Sequence, residues 1–217
     1  MLNITIDGTA GCGKSSLAKE LSKSLGVYYF NTGSVYRTIA CEYLHKFGNV
    51  VSYDNIVKLA SSLDADVHFE KGEQICLVNG TNYQNEIRLE RTSVFTPQIA
   101  CFNEIREVVR KIQRNFAKTN NCVMEGRDIG RVVLKDAKFK FYITADLKVR
   151  AERRFKQLGS DANFDQVLKD MEKRDFEDIN REQGALIPAD DAIIIDTSDK
   201  NLEETTKECL DIINAKN

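Results

Sequence analysis

Hydrophobic residues change their spacing along the chain, and each change marks an element. The stretch LNITID (2–7) reads as a short buried strand. It feeds a glycine-bearing stretch, after which KSSLAKELSKSL takes helical spacing and is closed by Gly26. VYYF (27–30) reads as the next strand. A helix is predicted from near Gly33 and Ser34 to about Phe47, and YDNIVKLASSL predicts another.

The texture then shifts. ADVHFEKGEQICLVNGTNYQ (65–84) carries short β-prone pieces punctuated by Lys71-Gly72 and Asn79-Gly80. The second pair is a strong hairpin signal, so a small antiparallel insert is expected. Helical spacing returns from Thr92 to about Lys118, with Pro97 interrupting it and Asn103 able to cap the second part. CVMEGRDIG reads as a strand running into a charged loop, and KFYI (140–143) as a further strand. A helix follows from Asp146 to about Leu158, then a turn over GSDAN (159–163) and a helix from Phe164 to about Asp178. DAIIIDTS (191–198) supplies a last strand and NLEETTKECLDIINA a last helix.

Strands alternating with helices predict an α/β fold: a parallel sheet covered on both faces, in three layers. Right-handed crossovers would place the glycine loop at the carboxyl edge, where ligands bind. The expected division puts 1–32, 92–149 and 182–217 in the core. Residues 33–91 form an acceptor-binding insert with the small antiparallel sheet, and 150–181 a helical lid.

Composition narrows the function classes. Lys and Arg number 31 against 33 Asp and Glu, a formal net charge of −2. That balance gives no sign of a general nucleic-acid or anionic-membrane binder. The six cysteines include no Cys-x-x-Cys pair and several sit in apolar runs, which reads as buried thiols in a reducing cytosol. No apolar run reaches membrane-spanning length, and the first residues enter a strand with no basic stretch or signal-like core.

The chemistry starts at IDGTAGCGKSS (6–16), a phosphate-binding loop of the P-loop type. Gly8, Gly11 and Gly13 let the backbone bend until its N–H groups converge on a polyphosphate. The helix that follows adds the positive end of its dipole. Lys14 offers a mobile charge to the outer phosphates, and Ser15 a hydroxyl to Mg²⁺. The alternative, a glycine-rich turn with an incidental lysine, sits poorly with the flanking strand and helix.

Other segments point to an acceptor. NTGSVYR (31–37) places Thr32, Tyr36 and Arg37 after the second strand, with a planar guanidinium suited to phosphate. A helix start with a surface arginine explains the same residues equally well. MEGRDIG (124–130) ends a strand in Glu125, Arg127 and Asp128; Glu125 stands where a Mg²⁺-associated carboxylate is often held. Arg150, Arg153 and Arg154 share one helix face, and Arg174, Asp178 and Arg181 another. Two cationic faces joined by a turn read as a flap that neutralises a transferring phosphoryl group. Interleaved Glu152, Asp170, Glu172, Asp175 and Glu177 read equally as solvated ion pairs.

IDGTAGCGKSS, NTGSVYR, NEIR, EGRDIG and KRDFEDINR followed by LIPADDAIIIDTS occur in the order found in bacterial cytidylate kinases, a nucleoside monophosphate kinase family. The chain resembles that family over nearly its whole length. The resemblance implies transfer from ATP to CMP, with dCMP as second acceptor, Mg²⁺ as cofactor and a monomeric, cytoplasmic enzyme. It implies that Gly8, Thr9, Ala10, Gly11, Cys12, Gly13, Lys14, Ser15 and Ser16 hold the ATP phosphates, with Arg150 and Arg154 also on ATP. Thr32, Tyr36 and Arg37 would form the CMP site, Arg106 and Asp128 would read cytosine, and Arg127 would bind phosphate. Arg174, Asp178 and Arg181 would close on CMP, and Lys14, Arg127, Arg174 and Arg181 would stabilise the transferring charge. The chain departs from its relatives at Glu125, where they often carry Asp, and at Arg131, where they commonly carry Thr. It also has Thr96-Pro97 where some place a base-contacting serine.

Three other classes use the same loop. A guanine-nucleotide switch would show an Asn-Lys-x-Asp run, which is missing here. A kinase for another small molecule would ignore CMP, and a nucleotide sensor would bind ATP without turnover.

Overall fold

The structure, a computed structural model, describes residues 1–159 and 162–215. Ser160 and Asp161 of the expected GSDAN turn lie outside the described residues. In chain order the elements are β1 (Asn3–Gly8), α1 (Lys14–Leu25), β2 (Tyr28–Asn31), α2 (Thr32–Phe47) and α3 (Tyr53–Ser61). Then come β3 (Ala65–Glu70), β4 (Glu73–Val78), β5 (Thr81–Asn82), α4 (Glu90–Ala100) and α5 (Asn103–Thr119). After β6 (Cys122–Glu125), a π-helical turn (Ile129–Val133) leads to β7 (Phe139–Thr144), α6 (Leu147–Leu158), α7 (Phe164–Ile179), β8 (Ile193–Asp196) and α8 (Leu202–Ala215).

The chain divides into two compact units: Leu2–Tyr29 with Asn121–Asn217, and Phe30–Asn120. Helices α4 and α5 fall in the second unit, where the sequence division placed 92–120 with the core; α5 packs on α3 and β3 there.

The five-stranded sheet has the order β2-β6-β1-β7-β8. The pairs β1–β6, β1–β7 and β7–β8 are parallel, with Ile4 opposite Val123 and Phe139. Although β1 alternates apolar and polar residues, Ile4, Thr5, Ile6 and Asp7 are all buried, because the strand is flanked on both sides and covered on both faces. Ile4, Ile6, Leu17, Leu21, Phe139, Phe141 and Ile143 are among the buried residues of one cluster. Burying each such side chain stabilises the fold by roughly 1.5–3 kcal/mol, and this core fixes the carboxyl edge from which the phosphate loop leaves.

The second unit carries the antiparallel sheet β3-β4-β5, with Ala65 opposite Val78. Lys71 and Asn79 take positive φ at its two turns, as the Lys-Gly and Asn-Gly signals predicted. Its core includes Tyr43, Ile56, Leu59, Phe95 and Ile99, and Phe116 packs on both Phe30 and Phe69.

Three local expectations shift. Helix α4 runs through Pro97 to Ala100, and the break comes at Cys101 and Phe102. Pro97 removes a bond within one turn of the helix end, so little remains to be disrupted. Phe102, in extended conformation, occupies the N-cap position of α5, and Asn103 is the first helical residue, without a side-chain cap bond. The charged loop after β6 is in part a π-helical turn, closed by the Leu134 N–H on the Ile129 carbonyl at 2.8 Å. Cys12, Cys41, Cys76, Cys122 and Cys209 are buried free thiols as expected, whereas Cys101 is exposed.

Candidate active site

The phosphate loop leaves β1 at Gly8, whose φ is +147°. A Cβ there would lie 1.9 Å from the Ile143 carbonyl oxygen, so only glycine lets β7 pack this closely. The loop ends at Gly13, left-handed at φ 94°, which caps α1. Side chains tie its carbonyls back. Arg150 Nη1 donates to the Ala10 carbonyl at 3.1 Å, and Thr197 Oγ1 to the Cys12 carbonyl at 3.1 Å. Across a planar trans peptide the next N–H points the opposite way. The Gly11 and Gly13 amides therefore turn away from those partners, the arrangement an anion needs. Gly8, Ala10 and Cys12 are buried, Thr9 half-buried, and Gly11, Gly13, Ser15 and Ser16 exposed.

Lys14 folds over this loop. Its Nζ donates to the Thr9 carbonyl and lies 3.6 Å from Cys12 Sγ. Burial, and secondly the charge of Arg127, lower its pKa from 10.5 to about 8. A phosphate arriving beside the ammonium restores the charged form.

Ser15 Oγ donates to Glu125 Oε2 at 2.8 Å, and the Tyr29 hydroxyl donates to Glu125 Oε1. A hydroxyl and a buried carboxylate are hard oxygen donors of the kind Mg²⁺ takes while keeping waters and substrate phosphates. Among the described residues no group of three or more His, Cys, Asp or Glu side chains could hold a metal alone. The donor set thus fits a Mg²⁺ ion brought with a polyphosphate.

The segment after β6 meets α7. Arg127 Nε donates to Asp178 Oδ2 at 2.9 Å, and Arg181 Nη2 donates to Asp178 Oδ1. Burial alone would raise the Asp178 pKa; Arg127, with Arg181 and Arg174, outweighs it and holds the carboxyl below its usual value. Arg174 is exposed one turn earlier on α7. Asp128 is buried just before the π-helical turn, and Arg131 within that turn faces solvent.

The α6 arginines do not act as one face. Arg150 is buried: Nε donates to the Ala145 carbonyl at 2.8 Å and Nη2 pairs with Asp175 at 2.7 Å. Arg150, expected on ATP, also supports the loop through the Ala10 carbonyl. Arg153 donates to the Thr197 and Lys200 carbonyls, bracing the turn before α8. Arg154, also expected on ATP, is exposed, with Gln157 Oε1 at 3.4 Å. Hydrogen bonds that periodicity cannot show separate the three.

In the second unit, α2 begins earlier than predicted, at Thr32, because Asn31 caps it by accepting from the Ser34 N–H at 3.0 Å. Thr32 and Gly33 are thereby placed in the first turn. Arg37 Nη1 lies 3.7 Å from where a Gly33 Cβ would stand, so the guanidinium lies over the positive end of the helix. Tyr36 is half-buried beside it. Helix α5 aligns Arg106, Arg110 and Gln113 on one buried stripe, and Gln113 Nε2 donates to Thr32 Oγ1 at 2.9 Å. Arg106 Nη1 donates to the Ala100 carbonyl at 3.3 Å. The Thr96 hydroxyl donates to the Thr92 carbonyl at 2.6 Å.

Several of these residues escaped sequence reasoning. Thr197 and Tyr29 act through distant contacts without a local signal, whereas Asp175 was visible among the interleaved acids and pairs with Arg150. Arg110 stood four residues after Arg106, a visible helical spacing. Asp7 was visible as an acid near the end of a strand that reads as buried.

A loop shaped for a polyphosphate, a hydroxyl–carboxylate pair fit for its metal, and arginines gathered on one acid define a P-loop phosphotransferase. The chain belongs to the cytidylate kinase family, whose profile matches residues 4–215. It is 41% identical to a cytidylate kinase of Clostridium botulinum, over 98% of this chain and 97% of that one. A Clostridium perfringens cytidylate kinase is likewise 41% identical over 91% of each chain. One of Caldicellulosiruptor saccharolyticus is 35% identical over 97% of this chain and 95% of its own. An uncharacterized protein from Eubacterium ventriosum shares the fold at a TM-score of 0.57 and 13% identity, with 99% of each chain covered. No helix among the described residues is long and apolar enough to cross a membrane.

Proposed function

We propose that this kinase moves the terminal phosphoryl group of ATP onto CMP, with dCMP as a second acceptor, in one in-line displacement. One observation carries the reading: Lys14, the Ser15–Glu125 pair and the Arg127–Asp178–Arg181 cluster all stand in one compact unit. Phosphoryl transfer asks little covalent chemistry of the protein and much charge stabilisation. Gly8–Ser16 hold the donor phosphates, Lys14 neutralises the outer ones, and Ser15 and Glu125 hold Mg²⁺. Bound there, Mg²⁺ supplies neutralisation of the donor's oxygens. Arg150 acts on ATP through the loop it supports, and Arg154 on it directly.

Thr32, Tyr36 and Arg37 take the acceptor in the second unit, Arg37 with the α2 N-terminus on its phosphate. Arg127, Arg174 and Arg181 compensate charge on the group in flight, and residues 150–181 serve as the lid. Asp178 holds two arginines ready and passes to the sugar when nucleotide binds. Asp128 accepts from the cytosine amine and Arg106 donates to N3 and O2. Uracil presents a carbonyl to Asp128, and an unmatched buried polar group costs roughly 1–3 kcal/mol, about ten- to a hundredfold in selection. The enzyme works as a cytoplasmic monomer on small nucleotides.

Coupled ADP release across CMP, dCMP, UMP, AMP and GMP tests the reading. CMP and dCMP should exceed UMP in kcat/KM by roughly tenfold or more, with the purine nucleotides lower still. ATP consumption indifferent to CMP would overturn it.

A further inference from the structure

Asp7 is the last residue of β1 before Gly8, and it is buried at 6% exposure. Its two oxygens each accept one backbone N–H: Oδ1 from Ile129 at 2.9 Å and Oδ2 from Gly130 at 2.8 Å. Those amides open the π-helical turn directly after Asp128. The turn has little other room to settle, since a Cβ on Gly130 would stand 2.7 Å from Thr5 Oγ1 and 3.3 Å from Lys140 carbons. One carboxylate thus pins the turn to the strand that launches the phosphate loop.

We propose that Asp7 is a positioning residue for acceptor choice: by holding the Ile129 and Gly130 amides it sets where the Asp128 carboxylate stands. This rests on the assignment of Asp128 to the cytosine amine. A carboxylate suits the task better than an amide, because both contacts demand an acceptor and Asn offers only one. The choice carries a cost to folding. Burial chiefly, with the nearby Asp128 charge, raises the Asp7 pKa to about 6 against the pull of the two amides and Lys14.

Asp7→Asn keeps the shape and exchanges one acceptor for a donor facing an N–H. The CMP:UMP ratio of kcat/KM should fall about tenfold or more, while the KM for ATP moves less than about threefold. In an Asp128→Ala background the same change should alter the ratio by less than about twofold, because the group being positioned is gone. If Asp7→Asn does not fold, Asp7→Ser, whose hydroxyl can turn its proton away and accept from one amide, carries the same expectations. An unchanged ratio, equal losses toward CMP and ATP, additive effects with Asp128→Ala, or failure of both Asp7 variants to fold would overturn the proposal. A wild type that fails to separate CMP from UMP, or an Asp128→Ala variant that keeps the separation, would instead overturn the base-reading assignment itself.

Discussion

Lys14→Ala should lower kcat roughly 10²–10³-fold, the usual effect of removing a preorganised charge from a transferring group, with the fold retained. Retention follows from the energetics of the site. The Lys14 ammonium is buried, and burial lowers its pKa to about 8, so its charge is carried at a cost in the free protein. Alanine removes that cost along with the bond to the Thr9 carbonyl. Thermal unfolding of the variant should therefore stay close to wild type while turnover collapses. The wild-type pH profile supplies a second check. The charged form prevails below the folded pKa, so kcat/KM for ATP should decline as pH rises above about 8. Near-normal turnover in the variant would contradict the role.

Arg127→Ala should cost roughly 10²-fold in kcat and, unlike Lys14→Ala, should also weaken the fold. Asp178 is 5% exposed and Arg127 23%. Removing the arginine leaves a buried carboxylate with Arg181 as its direct partner, a loss of about 1–3 kcal/mol, below that of a wholly stranded charge. The pH dependence has a definite sign. The folded pKa of Asp178 lies below its ordinary value, so its contribution is present above the unfolded pKa and is lost as pH falls through the folded one. Without Arg127 the burial that otherwise dominates pushes the carboxyl upward. The variant should then lose stability at a higher pH than wild type on acid titration followed by circular dichroism. An unshifted acid transition together with unchanged kcat would contradict the assignment.

What the sequence reveals of this molecule depends on whether a property is local. The short strand before Gly8, the glycine spacing, Gly26 and the Asn79-Gly80 turn act within a few residues, and the fold follows them closely. Pro97 misled because its effect depends on how much helix remains beyond it, and α4 ends three residues later. The π-helical turn after Asp128 was illegible because its tie is Asp7, more than a hundred residues earlier. Arg150, Arg153 and Arg154 looked like one cationic face by periodicity. Their partners, the Ala10 carbonyl, the Thr197 carbonyl and Gln157, belong to three different places in the chain. Charge can be read from a sequence, but the direction in which a guanidinium is spent is a tertiary fact.

Both clusters that we propose to handle phosphate share one design. A buried or half-buried cation is kept near an acid or carbonyl that a phosphate oxygen can later replace: Lys14 rests on Thr9, and Arg127 and Arg181 rest on Asp178. Exchanging one acceptor for another reorganises little when nucleotide arrives, which is how preorganised charge accelerates transfer. This design needs no side chain to carry the phosphoryl group between donor and acceptor.

The stereochemical course of the reaction tests that claim most directly. ATP whose terminal thiophosphoryl group is made chiral with oxygen isotopes would be turned over with CMP, and the configuration of the resulting thio-CDP determined. A single in-line displacement predicts inversion at phosphorus. Retention, which requires a phosphorylated enzyme and two displacements, would contradict the account.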